Sequence, residues 1–221
     1  IFGNRKIYVS IHTHAEYGME YLYCMTLQKA NMKNKLDEIV RQVTSQNSIF
    51  RNFDYGNTMV TSVKKSENDS AFYYTQYKGV FIASYSLLLT ESAIDQLNSG
   101  GSLLKDNYFV RAREAAGKNV EMNVYLNYER IPSYLQMFMK TENSTATENL
   151  AKLAEWSELD LTIKPEGLMM NGFTYPVDTA SQYLNLFTTQ KPQQVEFPSI
   201  LPANTSVFFF FGGVNSTIFC T

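Results

Sequence analysis

Two histidines near the N-terminus are the first residues whose type and spacing suggest chemistry. His12 and His14 are separated by one residue, so a strand would place both on one face, with Glu16 continuing that face. Zn²⁺ takes three or four such ligands, and the group would therefore form a partial metal site at His12 and His14. The alternative is an edge or surface strand that turns polar side chains outward. A strand that ends before Glu16 would favour this second interpretation.

An acidic pair in the C-terminal half of the chain is the second candidate. Glu158 and Asp160 would lie on one face of a strand, together with Trp156. Glycosidases use two carboxylates, and an exposed Trp ring stacks on sugars. Glycosidase carboxylates must flank the substrate, however, and a single strand supplies no opposing partner. A solvated strand face is therefore the interpretation that the spacing favours.

Aromatic residues are the most unusual feature of the composition, with 15 Tyr and 15 Phe. Alternation sends Tyr73 and Tyr77 to the opposite face of a predicted hairpin from Tyr74, so one side would be displayed. Displayed Tyr and Trp rings anchor sugars and protein partners. Tyr73, Tyr77 and Trp156 are thus the candidate ligand-binding residues. Sheet cores also favour aromatic residues, which accounts for most of the others.

Other signals for catalysis or cofactor binding are weak. Cys24 falls within an alternating apolar segment, where a small buried side chain is its ordinary role. Cys24 and Cys220 form no CxxC pair, and we expect two free thiols. The glycine pairs at residues 100–101 and 212–213 lack the spacing of a phosphate-binding loop. We therefore predict no catalytic residue and no cofactor.

The overall composition excludes several classes of protein. The chain carries 19 Lys and Arg against 21 Asp and Glu, without the basic run that a nucleic-acid-binding protein would show. Its longest apolar stretch covers residues 207–214, whereas a transmembrane helix needs about 20 residues. Hydrophobic residues make up 44% of the chain, which is enough for a packed core.

The hydrophobic periodicity predicts an α+β fold. Alternation predicts strands at residues 6–12, 21–27, 49–53, 58–63, 71–77, 80–87, 120–128, 156–163 and 168–173. Helical spacing predicts helices at residues 33–44, 90–97, 106–117, 132–139 and 179–186, with Thr90 and Asp106 as N-caps. Short turns between successive strands indicate mainly antiparallel sheets in meander and hairpin arrangements, and we expect the helices to pack on one side.

A polar segment at residues 141–147 is the best candidate for a linker. It predicts an α+β subdomain at residues 1–140 and a smaller one at residues 141–221, although a single domain is also compatible with the pattern. The chain begins without Met or a signal-peptide pattern, and a predicted strand at residues 207–211 lies close to its end. We therefore expect a fragment of a larger protein.

Several short phrases spread over most of the chain carry a resemblance. They lie at residues 83–86, 90–97, 156–161, 168–174, 184–187 and 200–205. These phrases resemble a large, uncharacterised protein family of the bacterial phylum Bacteroidetes, a domain of unknown function. The resemblance implies an exported or membrane-anchored protein of the cell envelope, in the periplasm or at the surface. It brings no established activity and no catalytic residues.

Together these observations favour a non-enzymatic cell-envelope module that binds or scaffolds a protein or glycan. The alternative is a hydrolase of envelope glycan or peptide, using Glu158 or Asp160, or a metal at His12 and His14. A structural spacer built from repeated units is a third interpretation. The pattern leaves the oligomeric state open.

Overall fold

The structure, a computed structural model, divides the chain into an N-terminal unit, residues 1–105, and a C-terminal unit, residues 106–221. It describes residues 6–14, 18–27, 32–44, 47–139, 144–176, 184–188, 191, 194 and 201–205. Glu16, Cys220, the predicted strand at 207–211 and most of the predicted helix at 179–186 lie outside these residues. None of the described helices is long and apolar enough to cross a membrane.

A six-stranded antiparallel sheet forms the N-terminal unit. Its order is β1-β2-β6-β5-β4-β3, so consecutive strands are mostly neighbours, as the predicted hairpins require. The strands are β1 (Ile7–His14), β2 (Gly18–Thr26), β3 (Ile49–Tyr55), β4 (Thr58–Lys64), β5 (Phe72–Tyr77) and β6 (Val80–Ser84). The predicted antiparallel arrangement is confirmed.

Two tight turns set the register of this sheet. Gly56 and Asn57 join β3 to β4 with φ values of 55° and 64°. Lys78 and Gly79 join β5 to β6 with φ values of 47° and 76°. Two successive residues with positive φ match the right-handed twist of the flanking strands, which is why short hairpins use such turns.

Helices cover both faces of this sheet, so the expected packing on one side is not confirmed. Val40 of α1 (Met32–Val43) packs in one cluster with Val63, Tyr74 and Ala83. On the opposite face, α2 (Leu87–Ser99) places Ile94 in a second cluster, with Val60 and Ile82. A single strand serves both clusters because Val60 and Val63 are three residues apart and point to opposite faces.

The start of α2 differs from the sequence expectation. Ser86 is the N-cap, and its Oγ accepts a hydrogen bond from the N–H of Leu89 at 3.3 Å. Thr90, the predicted cap, lies one turn inside the helix and is buried. Its hydroxyl donates to the carbonyl of Ser86 at 3.0 Å. Ser and Thr are both preferred N-cap residues. Because β6 ends at Ser84, the helix begins soon after it and Ser86, not Thr90, is the cap.

A three-stranded antiparallel sheet, in the order β7-β8-β9, forms the frame of the C-terminal unit. Its strands are β7 (Met122–Asn127), β8 (Trp156–Lys164) and β9 (Gly167–Tyr175). The helices of this unit are α3 (Asn107–Ala115), α4 (Ile131–Gln136), α5 (Ser144–Leu150) and α6 (Asn185–Thr188). Because β7 pairs with β8, the sheet has strands on both sides of residues 141–147. The division between units precedes α3 and does not coincide with the predicted linker.

Candidate functional site

The predicted acidic pair lies on β8 of the C-terminal sheet. Glu158 and Asp160 share one face of this strand, as alternation predicts. In register with them on β7 are Tyr125 and Asn123, which share that face. The two carboxyl groups therefore lie beside each other on one sheet face, and their surroundings differ sharply.

Helix α3 covers this face and is tied to it by Asp106. The Oδ1 of Asp106 accepts hydrogen bonds from the N–H groups of Tyr108 and Phe109, at 2.9 and 3.2 Å, so Asp106 caps the helix as predicted. Its Oδ2 accepts a hydrogen bond from the Trp156 indole at 2.7 Å. The Phe109 ring packs edge-on against Trp156, with centroids 5.0 Å apart. One carboxylate thus joins the start of α3 to β8.

Asp160 is surrounded by hydrogen-bond donors. The N–H of Gly117 lies 3.0 and 2.9 Å from its two carboxylate oxygens, and the Asn123 amide donates at 2.6 Å. A side chain at residue 117 would collide with the Asp160 carboxylate, so glycine permits this approach. Burial by itself raises the pKa of Asp160. Glu158, the Gly117 N–H and Asn123 outweigh burial, and the pKa lies below its ordinary value.

Glu158 has the opposite environment. Its side chain is 0% exposed, and neither carboxyl oxygen has a hydrogen-bond partner among the described residues. Burial is the main cause that raises the pKa of Glu158 to about 7, followed by the adjacent Asp160 carboxylate. The nearby Asn123 amide partly opposes this rise, although its two N–H groups donate to Gly117 and Asp160. An ionised carboxylate without donors is costly in a buried site. Glu158 can therefore hold a proton near neutral pH.

The burial of this pair bears on the glycosidase interpretation. Carboxylates of a glycosidase flank a substrate, whereas Glu158 has no exposed surface for a substrate to reach. Trp156 is only 6% exposed, and its ring packs in the interior of the unit. The proposed solvated face is also incorrect for Glu158. The pair is suited to exchanging a proton, and Trp156 offers no platform for a sugar in this arrangement.

The histidine pair lies at the edge of the N-terminal sheet. His12 and His14 fall on one face of β1, and Glu20 of β2 is directly opposite His12. Ser10 and His12 share a hydrogen bond of 2.9 Å. Partial burial lowers the pKa of His12, against the effect of the Glu20 carboxylate. Among the described residues, no group of three or more His, Cys, Asp or Glu side chains is placed to hold a metal, so metal binding here stays a prediction.

The candidate tyrosines lie on the face of the N-terminal sheet that α2 covers. Tyr73 and Tyr77 are half-buried and pack against the cluster of Val60, Ile82 and Ile94. The Tyr77 hydroxyl donates to Asn98 Oδ1 of α2 at 2.7 Å. Tyr74 packs on the other face, where burial and then Asp37 raise its pKa to about 12. All three rings thus contribute to the core.

An open depression on the α2 side of the N-terminal sheet includes one of these tyrosines. Its volume is about 490 Å³, and Tyr73 and Phe53 contribute rings to its lining. The charged lining residues are Arg51 and Lys64, and Arg51 forms an ion pair with Glu67 at 2.7 Å. Tyr73 therefore keeps access to a surface concavity, and its role in ligand binding stays a prediction.

Cys24 is a free thiol on β2 and packs against the α2-side cluster. Burial raises the pKa of this thiol above its ordinary value. A thiol with a raised pKa is a weak nucleophile at neutral pH, because the thiolate is the reactive form. The predicted role of a small apolar side chain fits this environment.

The most exposed apolar surface of the C-terminal unit lies on the opposite face of its sheet from Glu158. Side chains from all three strands are aligned on this face. Leu161 of β8 pairs with Met122 of β7 and Met170 of β9, and Ile163 of β8 pairs with Leu168 of β9. Met122, Met170, Ile163 and Leu168 are 49%, 52%, 60% and 72% exposed. Ser157, farther along the same face, is buried, so the exposed apolar surface is the part of this face around these four side chains.

Comparison with known proteins identifies no relative. No protein-family model, curated protein or solved structure matches the chain. The resemblance to the Bacteroidetes family therefore stays a prediction. Functional interpretation depends on two sites of the C-terminal unit, the acidic pair Glu158 and Asp160 and the exposed apolar face.

Several residues of these sites were absent from the sequence predictions. Gly117 was predicted only as the end of a helix, and Asn123 only as a position in an alternating strand. Neither type nor spacing signals that both would bind Asp160 from 43 and 37 residues away. The apolar face had a signal in the sequence, since Leu168 and Met170 alternate within a predicted strand that carries no charged residue.

Proposed function

We propose that this chain is a non-enzymatic module that binds an extended, uncharged segment of another protein. The observation that carries the proposal is the exposed apolar face formed by Met122, Ile163, Leu168 and Met170. Contiguous apolar surface on a folded protein marks interaction sites, because exposing it to water is unfavourable. A partner that covers this face would bury these side chains.

The edge strand β9 supports an extended partner. Among the described strands, β9 lies at the end of the sheet order, and residues 167–175 include no charged side chain and no proline. Charges and prolines normally protect edge strands against pairing with other chains. Backbone hydrogen bonds to an added strand would give affinity, and the side chains on both faces of β9 would give specificity.

The chemistry of the face favours a protein over a glycan. The exposed side chains at 122, 163, 168 and 170 are aliphatic or thioether groups, which offer sugar hydroxyls no donor and at most a weak acceptor. Sugar recognition relies on flat aromatic rings, and Trp156 is buried. We therefore assign the scaffolding role to protein contacts.

We place this module in the bacterial cell envelope as part of the same proposal. The support for this location is the resemblance of residues 156–161 and 168–174 to the Bacteroidetes family of exported or membrane-anchored proteins. Residues 168–174 also lie within β9, the strand that carries the exposed side chains. The proposed location and the proposed surface thus involve the same segment.

Site-specific photo-crosslinking in cells tests the proposal. A photoreactive side chain at Leu168 should give a discrete adduct with a second protein, because that position is the most exposed of the four. The substitution Met170→Lys should reduce the adduct at least several-fold by placing a charge on the face. Circular dichroism should show that the exposed substitution leaves the fold unchanged.

The same photoreactive side chain at Lys65, in the exposed polar loop after β4, is the matched control. It should give no adduct of the same size. Equal adducts at both positions, or none at Leu168, would overturn the proposal. An adduct twice the mass of the chain would identify a second copy as the occupant and would also contradict a distinct partner.

A further inference from the structure

The acidic pair on β8, in which Glu158 is buried and Asp160 is half-buried, has a mismatch of donors and acceptors. Asp160 receives hydrogen bonds from the Gly117 N–H and the Asn123 amide, whereas Glu158 receives none from the part of the chain that the structure describes. With both groups ionised, two negative charges would lie side by side beneath α3 with donors for only one. Buried polar groups are nearly always paired, so this arrangement requires an additional donor.

A single proton supplies that donor. A proton on Glu158 removes its charge and converts one carboxyl oxygen into an O–H group. Asp160, adjacent on the same face, has a carboxylate that accepts this hydrogen bond while keeping those from Gly117 and Asn123. Adjacent carboxylates in proteins often share one proton, because both cannot ionise at close range without a large cost.

We infer that Glu158 and Asp160 bind one proton between them, and that loss of this proton loosens α3 from the C-terminal sheet. The proposal goes beyond the proposed binding function, since it concerns the opposite face of β8. The device is a pH-sensitive contact between a helix and the strand beneath it.

The other polar groups on this side do not replace the proton. From α3, the Arg111 guanidinium lies over the Tyr175 ring of β9 at 4.9 Å, and Asp106 binds Trp156. From β7, Tyr125 is in register with Glu158. Of the remaining ionisable groups of α3, Arg113 and Glu114 are exposed and Tyr108 is half-buried, and β9 carries no charged side chain.

At the sheet edge, Glu121 is exposed and accepts a hydrogen bond from the Ile163 N–H at 3.2 Å. It is therefore engaged away from Glu158. No cation among these residues contacts the Glu158 carboxyl group, whose two oxygens are without a partner.

The direction of the pH effect follows from the two carboxyl groups. Glu158 has a raised pKa, about 7 against an ordinary 4.5, so its contribution to stability is complete below pH 4.5. That contribution is lost as the pH rises from 4.5 to about 7. Asp160 has a lowered pKa, so its contribution is present above its ordinary 3.8 and is lost as the pH falls below that value. The contact between α3 and the sheet is therefore strongest in mildly acidic solution.

NMR titration of the whole chain with ¹³C-labelled glutamate carboxyl groups tests the shared proton. The Glu158 signal, identified by its absence in Glu158→Gln, should titrate with a midpoint near 7. Hydrogen exchange of the α3 amides, corrected for intrinsic rates, should accelerate up to about tenfold per pH unit between pH 5 and 7 and then level off. The full tenfold change is expected if the opening motion that allows exchange also exposes Glu158 to solvent.

Two substitutions separate this device from a structural role. Glu158→Gln should abolish the pH dependence of α3 exchange, because the amide is neutral and still donates to Asp160. Asp160→Asn should lower the midpoint of the Glu158 titration, because it removes the adjacent charge. If Glu158→Gln does not fold, this shift is the test of the shared proton. Glu166→Gln, in the exposed turn after β8, is the matched control and should change neither measurement.

Three outcomes would overturn the inference. The first is a Glu158 midpoint near its ordinary value. The second is α3 exchange whose pH dependence persists unchanged in Glu158→Gln. The third is a shift of the Glu158 signal by Ca²⁺ at constant pH, which would show that a metal cation and not a proton occupies the pair.

Discussion

The two sheets of this protein differ in which of their faces are covered and in which side chains they bury. The N-terminal sheet has a helix on each face, and its most buried side chains include Val60, Ile82 and Ile94. Among the described residues, the C-terminal sheet has α3 on one face and exposed apolar side chains, such as Leu168, on the other. Its most buried side chains include Ser157 and Glu158, both polar.

This difference suggests that the N-terminal unit is a stable scaffold and that the C-terminal unit carries the candidate functional residues. Apolar side chains gain from burial, so the hydrophobic effect accounts for Val60, Ile82 and Ile94. Three hydroxyls buried in the same unit, those of Thr75, Ser84 and Thr90, donate hydrogen bonds to backbone carbonyls. Burying Glu158 is unfavourable unless the group is neutral and hydrogen-bonded. Leaving Leu168 exposed is likewise unfavourable in water. Positions that cost stability are where function is most often found.

The largest expected effect is in the N-terminal core. Ile94→Ala should destabilise this unit by about 2–5 kcal/mol, because it removes a fully buried side chain and leaves a cavity. Denaturant unfolding measures the change. Leu88→Ala, on the same helix but exposed, should cost far less. Similar losses for the two variants would show that α2 does not pack as described.

The corresponding core contact of the C-terminal unit is polar. Trp156→Phe keeps an aromatic ring but removes the hydrogen bond to Asp106, and should cost about 1.5–3 kcal/mol, the range for bonds to charged groups. Unfolding followed by circular dichroism measures the loss. In the Asp106→Asn background, which retains a cap for α3, the same substitution should cost clearly less. Additive losses in the double variant would argue against the bond.

A glycine tests the close packing of the C-terminal sheet. A Cβ at Gly172 would collide with the Glu158 carbonyl, so Gly172→Ala should destabilise this unit by about 1–3 kcal/mol. The exposed neighbour Asn171 supplies the control, since Asn171→Ala introduces no such collision. Thermal unfolding compares the two variants. A neutral result for Gly172→Ala would mean that β8 and β9 are farther apart than described.

The smallest expected effect is on the surface of the N-terminal unit. Arg51 and Glu67 form an ion pair of 2.7 Å, but their side chains are 63% and 62% exposed. Arg51→Gln should therefore cost about 0.2–1 kcal/mol, and the difference should shrink in high salt. Urea unfolding at two salt concentrations measures it. A loss that is large and independent of salt would contradict an exposed pair.

The sequence was most informative where local rules decide the structure. Alternation placed Glu158 and Asp160 on one face, and Asp106 was recognised as a helix cap. Burial of Glu158 depends on α3 packing over β8, an interaction between residues far apart in sequence that periodicity does not encode. The same limit explains the helices, because the spacing of Val40 and Ile94 defines each apolar side but does not say which sheet face it meets.

The bond between Asp106 and Trp156 has a consequence for the order of folding. It joins residues 50 positions apart, so α3 is synthesised well before the strand that holds it. The N-terminal unit, whose strands all precede residue 105, has its partners available earlier and can fold first on the ribosome. Helix α3, at nine residues, is too short to be stable in isolation. It gains a fixed position only once β8 has emerged, which makes the C-terminal unit the later and more vulnerable part of the nascent chain.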